Sequence, residues 1–193
     1  EKVNASNLAS AASFFSAAKT KELLKADAKE VIALMDSCVA HCPQPVTADF
    51  APYLLERAQL YMNNDQARNA MLDYDAYYKA VNGQVNDLFY YYREQAALKA
   101  RQYQRALDDI VKAIELSPKD LTYRAEHAVI NLRVGRYEES MQILNDILKD
   151  EPKYAEAYRL LGLCQIQLKK TDEACGNFNK AKELGDPNVE GLI

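Results

Sequence analysis

The sequence predicts an all-α protein, an α-solenoid of stacked antiparallel helix pairs: about ten helices in five hairpins between residues 12 and 188, with no sheet. Three observations predict it. Residue types recur at an interval of 34: Ala106, Ser140 and Ala174 are each 34 apart, as are Ile110, Leu144 and Phe178, and Ala113, Ile147 and Ala181. Pro118 and Pro152 keep the interval, with Pro187 one residue late, so a helix breaker falls where each unit ends. Only six glycines and six prolines in 193 residues suit long helices joined by tight turns. Small and large apolar residues recurring in phase at this period imply one helix–turn–helix per unit, each burying its apolar face against the next.

The opening stretch is rich in Ala and Ser, with Phe14 and Phe15 as its aromatics, and reads as a helix with a weak apolar face. Asp27, with Glu30 three residues on, has the spacing of a capping box and starts a second helix over about 28–41. Val31, Met35 and Cys38 fall at the three recurring places of that helix, which makes the first unit, roughly 12–45, a degenerate one. Residues 44–49 read as a loop, and Pro52 suits the first turn of the helix that follows. The second unit, 51–84, has Leu54, Ala58, Tyr61, Ala70, Tyr74 and Tyr77 in phase, with Asn63-Asn64-Asp65 as turn chemistry. The third, 87–120, starts two residues late because of Asn82-Gly83-Gln84-Val85, and carries Tyr90, Ala97, Tyr103, Ala106, Ile110 and Ala113. The fourth, 121–154, turns at Gly135-Arg136-Tyr137; the fifth runs 155–188. Residues 189–193 read as the start of a truncated cap, and the whole, 1–193, as one domain.

The last unit carries Tyr158, Leu161, Gly162, Ala174, Phe178 and Ala181. On these residues and the 34-residue period the sequence resembles the tetratricopeptide repeat family, which implies a right-handed superhelix of helix pairs. The departures are Tyr77 where the family has a small residue, Arg93-Glu94 and His127-Ala128 for Leu-Gly, and Arg124 for the early aromatic. The resemblance further implies that the first helix of each pair, helix A, lines an inner groove through its second, fifth, ninth, twelfth and thirteenth positions. The groove candidates are then Leu55, Gln59 and Met62; Tyr91, Gln95 and Leu98; Val129 and Leu132; Arg159, Leu163 and Ile166. Some family members clamp a chaperone's C-terminal carboxylate with Lys and Asn at such positions. Here Leu55, Gln59, Tyr91, Gln95, Ala125 and Val129 stand there instead.

A formal net charge of −4 gives no broad basic field, so nucleic acid is not an expected partner. With 49% hydrophobic and 27% charged residues and no apolar run of about 18, the chain reads as soluble and not membrane-spanning. The first residue is Glu1, with no basic-plus-apolar signal region, which leaves localisation open. Gly-rich phosphate loops, a nucleophile elbow, HExxH and paired catalytic carboxylates are missing, so the reading is of a non-enzyme without cofactor. His127 falls on the face of helix A turned to helix B and reads as structural, and His41 complements a helix C-terminus. Cys38, His41 and Cys42 are too few for structural zinc. In unit five Cys164 and Cys175 lie on faces that meet inside one hairpin, which predicts a close pair, either a disulfide or two buried thiols.

The expected function is that of a protein–protein interaction module that takes a peptide or helix of a partner in the groove, its apolar side chains among Leu98, Val129, Leu132 and Leu163 and an acidic residue on Arg159. The alternative is an assembly domain whose groove is filled by its own N-terminal helix or by a second copy, a homo-oligomer.

Overall fold

The structure, a computed structural model, describes residues 5–192. Ten α-helices follow one another: α1 (Ala5–Leu23), α2 (Ala28–Ala40), α3 (Ala51–Asn63), α4 (Ala67–Ala80), α5 (Asp87–Lys99), α6 (Tyr103–Leu116), α7 (Leu121–Arg133), α8 (Tyr137–Asp150), α9 (Ala155–Gln167) and α10 (Thr171–Glu183). A single 3-10 turn, Ala48–Phe50, precedes α3, and no strand occurs among the described residues. The expected all-α helical-repeat class is what the chain adopts. Odd-numbered helices are the A helices and even-numbered ones the B helices.

Local chemistry sets the helix starts. The Asp27 carboxylate accepts from the Lys29 N–H at 2.7 Å, and the Asp120 carboxylate accepts from the N–H of Thr122 at 2.8 Å and of Tyr123 at 3.4 Å. Pro52 sits in the first turn of α3, where its missing N–H costs nothing. A left-handed residue folds each A helix back onto its B helix: Lys25, Asp65, Arg101, Gly135 and Lys169 have φ of 55°, 58°, 59°, 81° and 60°. The residue after it closes the turn on the helix five positions back, as in Gln66 N to Tyr61 O at 2.8 Å and Lys170 N to Gln165 O at 2.8 Å. Only one of the five is glycine, so the turn recurs where the glycine signal does not.

Seven residues before each of these turn residues stands a buried place on the A helix. Ala18, Ala58, Ala128 and Gly162 occupy the place, all buried, and in α5 it holds Glu94, also fully buried. The facing B-helix places are buried too: Val31, Ala70, Ala106, Ser140 and Ala174, then Met35, Tyr74, Ile110, Leu144 and Phe178. Burial of Val31, Met35 and Cys38 shows that the first hairpin packs like the others despite its sequence.

The helices fall into two compact units. One holds the described residues up to Val85 with Gln95–Arg101; the other holds Asn86–Glu94 with the residues from Gln102 on. The first unit is packed around Ala11, Ala18, Val31, Met35, Cys38 and Cys42, with Phe14, Phe15 and Tyr53 against them. The second is packed around Ala128, Leu144, Ile147, Leu160, Leu161 and Cys164, and at its end around Ala174, Phe178, Ala181 and Val189. The opening helix begins at Ala5, ahead of the first unit's expected start near residue 12, and residues 189–192 lie in turns rather than in a capping helix, with Val189 only 1% exposed.

Candidate functional site

In the first unit, Leu55, Gln59 and Met62 come from α3 and Gln95 and Leu98 from α5. Leu55, Met62, Gln95 and Leu98 are half-buried and Gln59 is exposed, its side-chain amide donating to the Asn63 carbonyl at 3.0 Å. Lys99 spans the two helices, Nζ donating to Asp65 Oδ1 at 2.7 Å and to the Met62 carbonyl at 3.1 Å. Behind this face the Arg57 guanidinium donates twice to the buried Asp73, at 2.7 and 2.8 Å, and once to Asp36 at 3.0 Å. Tyr61 also donates to Asp36, at 2.7 Å, and burial pushes its phenol up to about 12. The N-terminal helix does not lie in a groove as a filler. It is the A helix of the first hairpin, with the Phe15 ring tilted against that of Tyr53, centroids 4.8 Å apart, and Lys19 paired with Glu56.

In the second unit the A-helix faces come from α7, α9 and the N-terminal part of α5. Three consecutive tyrosines divide as a 100° helical step requires: Tyr90 and Tyr91 are half-buried and Tyr92 is 47% exposed. The Tyr91 ring lies 5.9 Å from that of Tyr92 and 5.3 Å from that of Tyr123. Val129, Leu132 and Leu163 are half-buried on the core below, while Ile166 stands 42% exposed.

Arg159 lies where the numbering puts it, but its charge is already matched. Nε donates to Asp186 Oδ2 at 2.9 Å and Nη2 to Glu156 Oε1 at 2.7 Å, with the Asp186 side chain 3% exposed. The same Glu156 accepts from the Tyr154 hydroxyl at 3.1 Å. A cation bridging two carboxylates of its own chain acts as a structural clasp, and its charge is balanced within the chain before any acidic ligand residue arrives.

The pairing of Cys164 with Cys175 is also corrected. Cys164 is buried, its thiol 3.4 Å from the Ser140 hydroxyl, whereas Cys175 is exposed and both are free thiols. Ala174, Phe178 and Ala181 take the inward side of α10, and one residue on from Ala174 the helix has turned by about 100°.

Some determinants escape a motif search. Tyr123, not the neighbouring Arg124, is the buried aromatic of α7; it donates to Asp87 at 3.2 Å, and Ser117 donates to the same carboxylate at 2.7 Å. That bonding holds the Asp87 carboxyl below its ordinary range. Arg93 repeats the Arg57 arrangement, donating twice to the buried Asp109 at 2.8 and 2.6 Å. The signal was an Arg followed by Asp sixteen residues on, twice at an interval of 36.

His127 is half-buried, and burial pulls its imidazole below its usual value. The His41 Nδ1 is 2.7 Å from the Ser37 carbonyl at the end of α2. Among the described residues no group of three His, Cys, Asp or Glu side chains is placed to hold a metal ion, and no helix is long and apolar enough to cross a membrane.

A family model described as tetratricopeptide repeat matches residues 97–164. The chain is 32% identical over 108 residues to heat shock protein STI1 of Saccharomyces cerevisiae, covering 52% of this chain and 18% of that one. It is 29% identical over 96 residues to the small glutamine-rich tetratricopeptide repeat-containing protein 2 of Mycosarcoma maydis, of which it covers 27%. The chain thus spans less than a third of either relative. Among solved structures MamA aligns with a TM-score of 0.73 at 17% identity, over 95% of this chain and 96% of that one. YrrB, a TPR protein with an unusual peptide-binding site, aligns at 0.69 and 16% identity over 91% and 87%. Five helix pairs, one left-handed turn residue per pair and a small buried residue seven places before it in four of the five agree with these likenesses: residues 97–164 match the tetratricopeptide repeat family, and the chain as a whole has the fold of tetratricopeptide repeat proteins.

Proposed function

We propose that this protein–protein interaction module takes a peptide or helix of its partner on the A-helix face of the second unit, among Tyr91, Val129, Leu132, Leu163 and Ile166. The observation that carries the reading is a set of partly exposed apolar and aromatic side chains on A helices, Val129, Leu132 and Leu163 on one core, with Ile166 and Tyr92, beside Tyr91, nearly half exposed. Aromatic and aliphatic anchors set in such surfaces concentrate interface energy. The comparable face of the first unit, Leu55, Gln59, Met62, Gln95 and Leu98, is a second candidate. YrrB's peptide-binding site supports a peptide as the ligand class. Because Arg159 is engaged by Glu156 and Asp186, ligand selection rests on apolar side chains rather than on an acidic residue. The module works by binding, with no turnover and no cofactor.

The test is selection of peptides from a random display library against the intact chain, followed by calorimetric titration of the selected sequences. Ile166→Asp should weaken them at least tenfold with the melting temperature nearly unchanged, since Ile166 is exposed. Selected peptides that bind Ile166→Asp and Tyr92→Ala as they bind the parent would put the site elsewhere.

A further inference from the structure

A second surface lies away from the A-helix faces, in the first unit. Ten residues, 41–50, connect α2 to α3, whereas four residues each connect α6 to α7 and α8 to α9. The longer connection folds over the outward side of α4, and between them lies a cleft of about 680 Å³. Pro45 and Val46 form one wall; Leu72, Asp75, Ala76 and Ala80 form the other, and the exposed Lys79 also lines it. Leu72 is 68% exposed, a large exposure for a leucine in mid-helix.

We propose that this cleft is a docking site for an extended peptide segment that carries a large aliphatic side chain and a carboxylate. Three observations specify that occupant. The wall is preformed: Val46 packs on the core of Ala11, Cys38 and Cys42, and the Gln44 side-chain amide donates to the Val39 carbonyl at 3.2 Å. Its backbone is open for pairing. Thr47 is extended, with φ −89° and ψ 167°. The N–H groups of Val46, Thr47 and Ala48 and the carbonyls of Pro45 and Val46 make no hydrogen bond among the described residues. An extended chain laid along them acquires main-chain hydrogen bonds, and alternate side chains of that chain point at Leu72 and Ala76. Lys79 makes no ion pair among the described residues and gives the cleft a cation for a carboxylate. A volume of this size holds a few residues of peptide.

The probe is the blocked pentapeptide acetyl-Thr-Leu-Thr-Leu-Asp-amide, titrated into the isotope-labelled full chain by amide NMR, with the Lys-for-Asp peptide as control. The expected result is saturable movement of the Val46, Thr47 and Ala48 amides, at least fivefold weaker for the control peptide. Leu72→Asp should abolish the movement, and Lys79→Glu should reverse the preference between the two peptides. Both residues are exposed, so thermal melts of the variants should match the parent, and a variant that melts early is replaced by Leu72→Ser or Lys79→Gln. The proposal is overturned by the absence of saturation at millimolar peptide, by movement confined to other amides, or by unchanged binding to Leu72→Asp. Movement confined to the α7 and α9 amides would overturn this cleft and leave the A-helix face standing.

Discussion

Gly162 and Phe178 are in contact across the last hairpin so closely that a Cβ on Gly162 would stand 2.6 Å from Cδ1 of the Phe178 ring. Helix α9 can approach α10 at this distance only because residue 162 has no side chain, and the ring then fills the space beneath it. Gly162→Ala forces the ring or the helix to move. Although alanine favours helix by about 1 kcal/mol, overpacking of a buried site typically costs about 1–3 kcal/mol. The expected net result is a lower melting temperature, with Phe178→Leu in the same background recovering part of the loss. Gly162→Ala that melts at or above the parent would mean that the two helices are not in this register.

Four free thiols divide by exposure, and that division is measurable. Cys38, Cys42 and Cys164 are buried, and burial pushes Cys38 up to about 12, while Cys175 is exposed. A chromogenic disulfide reagent at neutral pH should titrate one thiol quickly in the native chain and the other three only on unfolding. Loss of the fast phase in Cys175→Ser assigns it. Two fast thiols in the native chain, or none, would contradict the orientation of α10.

Signals that are local or periodic could be read from the chain; signals that depend on which residues meet across the fold could not. Asp27 and Pro52 mark helix starts because a cap and a fixed φ act within a few residues of their own position. The 34-residue interval carries the pairing of helices because each pair repeats the same contacts. Arg159 shows the limit: its position in α9 was correct, but its meaning depended on Asp186, 27 residues away in a turn that follows no repeat rule. Cys175 shows another, since one residue on a helix separates the buried side from the exposed one. Tyr123 replaced Arg124 for the same reason. The turns at Lys25, Asp65, Arg101 and Lys169 carry no glycine to announce a left-handed residue, so their conformation follows from the hairpin that surrounds them.

His127 makes stability depend on pH in a direction that burial sets. Its folded-state value lies below the ordinary 6.5, because the charged imidazolium is disfavoured where the ring is half-buried. Above about pH 7 the ring is neutral in both states and contributes nothing. As pH falls through the unfolded-state value the unfolded chain takes up the proton first, so stability is lost on the acid side, by at most about 1.4 kcal/mol per pH unit. Urea midpoints should therefore drop between pH 7.5 and 5 more steeply for the parent than for His127→Gln. Parallel profiles would show that the imidazole is as well solvated in the folded chain as in the unfolded one.

Arg159 decides between a ligand contact and a structural clasp. Its guanidinium side chain is 14% exposed and bonds to an Asp186 side chain that is 3% exposed, while Glu156 on the same helix is 42% exposed. Removing a partner of a buried pair leaves the other charge without compensation, and such losses run to about 3 kcal/mol. Asp186 also orders the turn that follows α10, its Oδ1 accepting from the Asn188 N–H at 2.8 Å, one residue before the buried Val189. Arg159→Ala should therefore lower the melting temperature clearly and expose 184–192 to limited proteolysis, whatever it does to a partner. The double replacement Arg159→Met with Asp186→Leu removes both charges and keeps apolar bulk, so it should recover much of the loss; a buried ion pair replaced together is often neutral. If Arg159→Ala melts like the parent and instead abolishes peptide binding, the guanidinium faces the ligand and the clasp with Asp186 is not what holds the last turn in place.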